Sequence, residues 1–468
     1  MRRQPPWWRR RMGAESVSAD RASATIVALA TPPGRGALAV LRLSGPAAGE
    51  IACRLGAAES LTPRRATRTR LHASDDASQV LDDAIVTWFP AAQSPTGEDL
   101  VEFSLHGGQY VSACAMAEAV RAGAVPALAG EFSERAVRHG KMDLLQAEAV
   151  ADLIDARSRA MHRAALTQLS GALSQRLLAL REALLETEAL LAYEVDFPEE
   201  DDGPLPRAAA SAAASRVLDA LYALGATLPM AELGREGVPV VFAGAPNAGK
   251  SSLFNALVGE ARAIVSEIPG TTRDAIEVLV DEEPYPWRLV DTAGLRETDD
   301  VLERLGLEVS ARWLARAGVV VVCGESVESL HAASAAVLSA TPAPQVLVRT
   351  KSDLGVALTA DEAITAVSVV DGRGLADLRD AIRTAVRAAH PPMTEDAPVV
   401  TRARHATAIA RARDEVAAFV TAWDDAALPA PVAATHLRAA ILALDELVGA
   451  IDVEDVLGRV FRTFCVGK

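Results

Sequence analysis

The glycine spacing within Val238–Leu257 restricts this chain more than any other stretch. A β-branched run from Val238 to Phe242 reads as a buried strand, and Leu253, Phe254 and Leu257 recur at helical spacing from Ser251 onward. Between them stands G-x-x-x-x-G-K-S, with Gly244 and Gly249 at the two glycine positions. Glycines there let backbone N–H groups turn inward around phosphate oxygens. Lys250 would reach the outer phosphates, Ser251 would hold Mg²⁺, and the helix would aim its positive end at the anion.

Three further motifs follow in order at predicted strand ends. Asp291-Thr292-Ala293-Gly294 comes after the strand-like Trp287–Val290, where a carboxylate can meet Mg²⁺ through water. Thr271 and Thr272 lie between the first two motifs, where a switch threonine would complete the metal shell. Thr350-Lys351-Ser352-Asp353 follows Val346–Val348; Asp353 can accept from the two donor edges of guanine while the Lys351 stem covers the ring. Ser368, Val369 and Val370, after Ala366-Val367, fit the last base-contacting loop. Together these predict a guanine-nucleotide switch domain. Leu295 stands where a water-orienting glutamine is common, so another group must orient water and offset transition-state charge.

The chain has 468 residues, enough for several cores, and no apolar run reaches spanning length, so no membrane segment is expected. Four scattered cysteines, at 53, 114, 323 and 465, form neither a metal nor a disulfide pattern, which fits the cytoplasm. A net charge of −15 argues against wrapping nucleic acid by bulk electrostatics. RNA contact would need a local basic face, and Arg64, Arg65, Arg68 and Arg70 are one candidate; a solvated arginine-rich loop is the other reading. Residues 1–22 read as a disordered extension without a secretory h-region.

Short strands are predicted at Thr25–Leu29, Leu38–Leu43, Asp83–Phe89 and Val101–Leu105, with a helix over Tyr110–Ala122: an α+β domain over 23–140. From Lys141 the pattern turns helical, and Leu166, Leu169, Leu173, Leu177, Leu180 and Leu184 are expected along one helix face. An acidic run, Glu199–Asp202, reads as a loop at a helix end. Helical text fills 141–234, the switch domain 235–388, and helices return over 389–468 with Leu437, Ile441, Leu444, Val448 and Ile451 on one side. The fold class expected is multidomain α/β, with a Ras-like P-loop domain inserted into a discontinuous helical domain.

Several longer stretches resemble one family. They are Thr25–Gly36, Arg42–Gly45, Thr96–Asp99 with Glu102, His106–Gly108, Gly130–Ala136, Gly140–Ala156, Asp196–Asp201 and the terminal Phe464–Lys468. In these the chain is similar to the tRNA modification GTPase MnmE (TrmE) family. The resemblance implies an N-terminal tetrahydrofolate-binding domain that dimerises, a helical domain and an inserted G domain. It implies a homodimer working with an FAD-dependent MnmG-type partner, FAD residing on that partner, in a heterotetramer or larger. Together these would modify carbon 5 of the wobble uridine of certain tRNAs in carboxymethylaminomethyl fashion, from 5-formyl- or methylene-tetrahydrofolate.

Carried over by residue, the resemblance marks Arg42, Glu102, Lys141 and Lys468 for folate. It marks Asn247, Ser266, Ile268 and Thr271 around K⁺, which would sit where an arginine finger places charge, and Ser251 and Thr272 for Mg²⁺. Ala248, Gly249, Ser252, Thr292, Ala293 and Gly294 complete the nucleotide shell. Glu303 matches a catalytic glutamate that acts through water, beside Lys250 and Thr272, and Cys465 matches a position near the modification chemistry, as nucleophile or as a packed apolar residue. Thr350 departs from the family's asparagine; threonine keeps one hydroxyl but is expected to lose the amide that braces the phosphate loop, weakening affinity while Asp353 keeps guanine selectivity. The competing reading is a ribosome-assembly or stress-related GTPase switch without modification chemistry; a folate-binding regulator is a third.

Overall fold

The computed structural model describes residues 21, 23–196, 207–260, 266–267, 276–291, 312–354, 364–392, 398–425, 429–449, 464 and 466–467. Two compact units divide the chain: residues 1–148 with 449–468, and residues 149–448.

The first unit is built on a six-stranded sheet in the order β3-β4-β5-β2-β1-β6. Its strands are β1 (Ile26–Leu29), β2 (Leu38–Ser44), β3 (Thr67–His72), β4 (Val80–Phe89), β5 (Leu100–His106) and β6 (Val125–Pro126). Alternation fixes which side of β2 and β5 is buried, since Leu41, Leu43, Phe103 and Leu105 are fully enclosed while Val40, Arg42, Glu102 and Ser104 between them are not. Those residues pack with Ile51 and Ala52 of α1 (Ala48–Arg54) and with Ala115 and Ala119 of α2 (Gln109–Arg121). On the opposite face, Ile26 and Ala28 meet Phe132 of α3 (Glu131–Arg138). Strand β3 corrects the loop reading of the arginine-rich stretch: Thr67 to Leu71 pair in register with Val86 to Asp82. Only Leu71 is buried there, so too little apolar alternation announces a strand. The terminal segment returns to this unit, where Val466 forms a bridge with Ala129 and Phe464 is buried.

The helical part runs α4 (Leu144–Asp155), α5 (Arg159–Leu169), α6 (Ala172–Asp196), α7 (Arg207–Gly225) and α8 (Leu228–Glu236), then resumes after the inserted sheet with α12 (Ala403–Asp424) and α13 (Ala430–Val448). Helix α12 packs on α7 and α13, and α13 on α6, so segments from both sides of the insertion share one bundle. Leu437, Ile441 and Leu444 are buried in it, as their spacing predicts; Ile451 lies outside the described residues. The leucine series does not follow a single helix. Ser170 and Gly171 separate α5 from α6, Gly171 taking a left-handed φ of 87°. Leu173, Leu177, Leu180 and Leu184 are buried, whereas Leu166 is exposed. Glu199–Asp202 lie outside the described residues.

The inserted sheet has seven strands in the order β13-β12-β11-β7-β10-β9-β8. They are β7 (Val238–Gly244), β8 (Ser266–Glu267), β9 (Ile276–Val280), β10 (Trp287–Asp291), β11 (Val319–Gly324), β12 (Gln345–Arg349) and β13 (Ile364–Ala366). Strands β10, β7, β11, β12 and β13 are parallel neighbours, and β9 runs antiparallel to β10. Helices α9 (Lys250–Glu260) and α11 (Leu375–Ala389) bury Leu253, Phe254, Leu257, Leu378, Ile382 and Val386 on one face. On the other face α10 (Val327–Ala340) buries Leu330 and Val337. Covered on both sides, β11 is buried along its whole length, as a central parallel strand requires.

Candidate functional site

The loops that can hold a ligand sit at the carboxyl ends of β7, β10, β12 and β13, where open α/β sheets form their crevices. Gly244 closes β7 with φ +143°, and a Cβ there would stand 2.2 Å from the Cys323 carbonyl oxygen. Glycine is therefore required by contact with β11 as well as by the turn. Asn247 takes a left-handed φ of 62° at the exposed apex of the loop, and Gly249 takes +81° immediately before α9. Lys250 and Ser251 then open that helix, whose first N–H groups point back toward the loop. The Lys250 ammonium, 9% exposed, donates to the Gly244 and Ala245 carbonyls at 3.0 and 2.8 Å. It lies folded along the loop that it would help wrap around phosphates.

Asp291 ends β10, directly beside β7, and is 2% exposed. Cys323 lies behind the loop, where burial pushes its thiol up to about 12, so it stays neutral beside Lys250 and Asp291. Ser251 offers a hydroxyl at the start of α9. A hydroxyl and a carboxylate are hard oxygen donors that suit Mg²⁺.

Thr350 is 5% exposed and reaches across the sheet. Its hydroxyl lies 2.8 Å from the Ala248 carbonyl oxygen and 3.3 Å from that of Gly324, while its N–H donates to Gly324 at 2.9 Å. The brace between base loop and phosphate loop, expected to be lost with the asparagine amide, is thus made by a hydroxyl. Lys351 takes a left-handed φ of 55° and pairs with Glu325, which holds its stem beside the end of β11. Asp353 follows in a short 3-10 turn. Ser352 donates its N–H to the Val367 carbonyl at 3.1 Å, tying that turn to the last loop. In that loop Ser368 is fully buried and Val370 is 86% exposed. Arg373 bonds Asp371 and holds its carboxyl down at about 2, so this pair beside the base loop stays ionised at neutral pH.

The fold therefore gathers Asn247, Ala248, Gly249, Lys250, Ser251, Ser252, Asp291, Thr350, Lys351, Asp353, Ser368, Val369 and Val370 at one sheet end. Ser266 is placed by its backbone in β8, opposite Leu279. Ile268, Thr271, Thr272, Thr292, Ala293, Gly294, Leu295 and Glu303 lie outside the described residues, as do Cys465 and Lys468. Glu325, Asp371 and Arg373 were not singled out in the sequence, and only their adjacency to strand ends could have flagged them.

In the first unit Arg42 bonds Glu102 through Nε and Nη2, at 2.8 and 2.6 Å, both on Oε1. The pair is one-quarter exposed, Arg42 lies 5.7 Å over the Phe132 ring, and its Nη1 donates to the Gly467 carbonyl at 3.3 Å. Among the described residues Glu102 Oε2 has no partner, which leaves a carboxylate oxygen for a donor edge of a ligand. Lys141 donates instead to the Ala92 carbonyl at 2.9 Å. Among the described residues no cluster of His, Cys, Asp and Glu could hold a metal by itself, and no helix is long and apolar enough to cross a membrane.

A phosphate-wrapping loop opening a helix, a buried aspartate on the adjacent strand and a lysine–aspartate base loop define a GTP-binding P-loop domain of the Ras-like class. The rest of the chain narrows this. It matches the family described as "GTP-binding protein TrmE N-terminus" over residues 25–141 and "MnmE helical domain" over residues 144–465. A tRNA modification GTPase MnmE of Acidiphilium cryptum is 44% identical over 441 residues, 92% of this chain and 96% of the relative. That of Methylorubrum populi is 42% identical over 452 residues, 95% of this chain and 98% of the relative. Among solved structures, the G domain of the T. maritima FeoB iron transporter is 26% identical, covering 32% of this chain and 98% of that one, with a TM-score of 0.25. The chain belongs to the MnmE family, and its fold is that family's: a TrmE N-terminal domain, a helical domain and a Ras-like G domain.

Proposed function

We propose that this chain is a GTP hydrolase that acts in tRNA modification, at carbon 5 of the wobble uridine, together with an FAD-carrying MnmG-type partner. The observation that carries the hydrolase reading is the assembly of phosphate loop, Asp291 and base loop at one sheet end, with Thr350 joining the first and last. The tRNA reading rests on family membership at this coverage.

Hydrolysis needs in-line water, shielding of phosphate charge and a group that steadies both in the transition state. Lys250 leaves the Gly244 and Ala245 carbonyls to meet the outer phosphates. The start of α9 adds backbone N–H donors. Ser251 and Asp291, with Thr272, would hold Mg²⁺, which supplies Lewis-acid charge between the phosphates. With leucine at 295, Glu303 orients the attacking water.

The missing positive charge is assigned to K⁺. Asn247 supports this, being exposed at the loop apex with no hydrogen-bond partner among the described residues, its amide oxygen open to a cation; Ser266, Ile268 and Thr271 would complete the shell. Paired G domains of a homodimer would close over the ion. A tetrahydrofolate derivative, the one-carbon source, would be held by Arg42 and Glu102 with Lys141 and Lys468. Glu102 Oε2 suits a pterin donor edge, and the cations suit a glutamyl tail. Cys465 is carried as a candidate nucleophile of the modification step. The protein works in the cytoplasm on this reading.

Mass spectrometry of wobble nucleosides from cells lacking the gene tests the reading, and loss of the carbon-5 group is expected. Retained modification would leave only the hydrolase. Phosphate release measured in potassium and in sodium separates the second claim: equal rates would remove K⁺ from the mechanism.

A further inference from the structure

The chain is acidic overall, yet residues 64–70 carry four arginines, and the fold leaves all four exposed on one strand and the turn before it. Strand β3 is terminal in its sheet. Arg68 and Arg70 alternate along it with the half-buried Thr67 and Thr69, so both guanidinium groups leave the same face, roughly 7 Å apart for two strand residues. Arg64 and Arg65 extend the row into the preceding turn. That turn is fixed: Arg64 has a left-handed φ of 58° and donates its N–H to the Trp88 carbonyl at 2.8 Å, and Arg65 donates to Thr62 at 3.2 Å.

Counter-charge is sparse. Arg68 bonds Asp83 through Nε at 2.9 Å, and its side chain remains 78% exposed. Among the described residues Arg64, Arg65 and Arg70 form no ion pair, although Arg70 stands opposite Asp83 in the register and helps hold that carboxyl ionised beside Arg68.

Arginines on a terminal strand can serve merely to block edge-to-edge pairing. Two observations speak against that here. The outer edge is already met near its end, where His72 donates its N–H to the Leu55 carbonyl at 3.2 Å, and a Cβ on Gly56 would stand 2.2 Å from the Arg70 carbonyl oxygen. Arg64 and Arg65 precede the strand, where there is no edge to protect. Three guanidinium forks outside any ion pair, at Arg64, Arg65 and Arg70, match a repeating phosphate backbone, which each fork can take in bidentate fashion.

We propose that the Arg64–Arg70 row is a docking surface for the sugar–phosphate backbone of tRNA, positioning the substrate without reading its sequence. The proposal rests on the tRNA reading above and assigns it a face.

The test uses the full chain and a transcribed tRNA, with binding followed by fluorescence anisotropy over a series of salt concentrations. The triple variant Arg64→Ala, Arg65→Ala, Arg70→Ala leaves the Arg68–Asp83 pair intact. Its affinity should fall on the order of tenfold or more, and the log–log salt slope should shrink by about 2, since each phosphate contact contributes roughly 0.7–0.9. The corresponding triple lysine variant should recover most of the slope, and GTP hydrolysis without tRNA should not change. Arg65→Glu, off the strand, gives a second reading should the triple variant fold poorly. Wild-type affinity and slope in these variants would overturn the surface. So would a variant that aggregates while its soluble fraction still binds tRNA normally, because the arginines would then be edge guards. Wild-type protein that binds no tRNA even at low salt would overturn the tRNA reading itself.

Discussion

Replacing Thr350 by valine keeps shape and removes one hydroxyl, which makes it a sharp probe of how the phosphate loop is held. The hydroxyl lies 2.8 Å from the Ala248 carbonyl oxygen at a residue 5% exposed, so its loss is felt in a dry environment. A buried hydrogen bond removed from one side costs about 1–3 kcal/mol. The Thr350 N–H still donates to Gly324 at 2.9 Å, so the base loop itself stays attached, and the lower part of that range applies. At about 1–2 kcal/mol, nucleotide affinity should weaken roughly 5- to 30-fold, because binding must then order a loop that wild-type protein presents already braced. Titration with a fluorescent GDP analogue at fixed Mg²⁺ measures this directly. Thr350→Ser keeps the hydroxyl and should stay within about threefold of wild type. Preference for GTP over ATP should survive in both, since Asp353 is untouched. Thr350→Val with wild-type affinity would refute the bracing role.

Two further outcomes follow from the packing. Glu282 has a side chain 8% exposed, and it accepts from Arg379 Nε at 3.0 Å and Arg383 Nη2 at 3.0 Å. Glu282→Ala leaves two half-buried guanidinium groups without their carboxylate and should cost about 1–3 kcal/mol, lowering the calorimetric midpoint by a few degrees; an unchanged midpoint would count against it. The buried Cys323 thiol, raised to about 12 from a value near 9, keeps a proton in the folded state that the unfolded chain has lost. Its contribution is intact below about pH 9 and declines as pH rises toward 12, by about 1.4 kcal/mol per pH unit. Urea unfolding above pH 9 should therefore fall less steeply with pH for Cys323→Val than for wild type, and parallel curves would contradict this.

Much of the fold was legible because its signals are local. The run Val238–Phe242, the glycines at 244 and 249 and the apolar spacing of Leu253 and Leu257 each report on a few neighbours, and together they describe strand, loop and helix. Strands β2, β4 and β5 could be read from alternation for the same reason. Strand β3 could not, because its inward positions are mostly threonine and only Leu71 enters the core. The break at Gly171 was hidden for the opposite reason. Leucine spacing continues across it, and periodicity alone does not register a backbone that turns left-handed for one residue.

The candidate site divides along the same line. The candidate nucleotide-binding residues lie in short motifs and were named from sequence. The residues that hold those motifs in place are distant in the chain and chemically ordinary. Thr350 read as the loss of a bracing amide with one hydroxyl kept, and sequence could not place that hydroxyl on the phosphate loop, because its bond to Ala248 spans 102 positions. The same holds at the β9–β10 hairpin. Asp281 accepts from the Arg159 N–H at 2.9 Å, Glu283 from Arg163 at 3.0 Å, and Glu282 from two arginines of α11. Three consecutive acidic residues in a turn would ordinarily read as solvated. Here Asp281 and Glu283 fasten the hairpin that ends at Asp291 to α5 of the helical part, while Glu282 ties it to α11 within the inserted domain. The inserted sheet is thus held to the helical part by more than the two points where the chain crosses into it. A rigid body attached at three places passes on a rotation that a body on two flexible connections would absorb, and the residues that decide between those cases are Asp281 and Glu283.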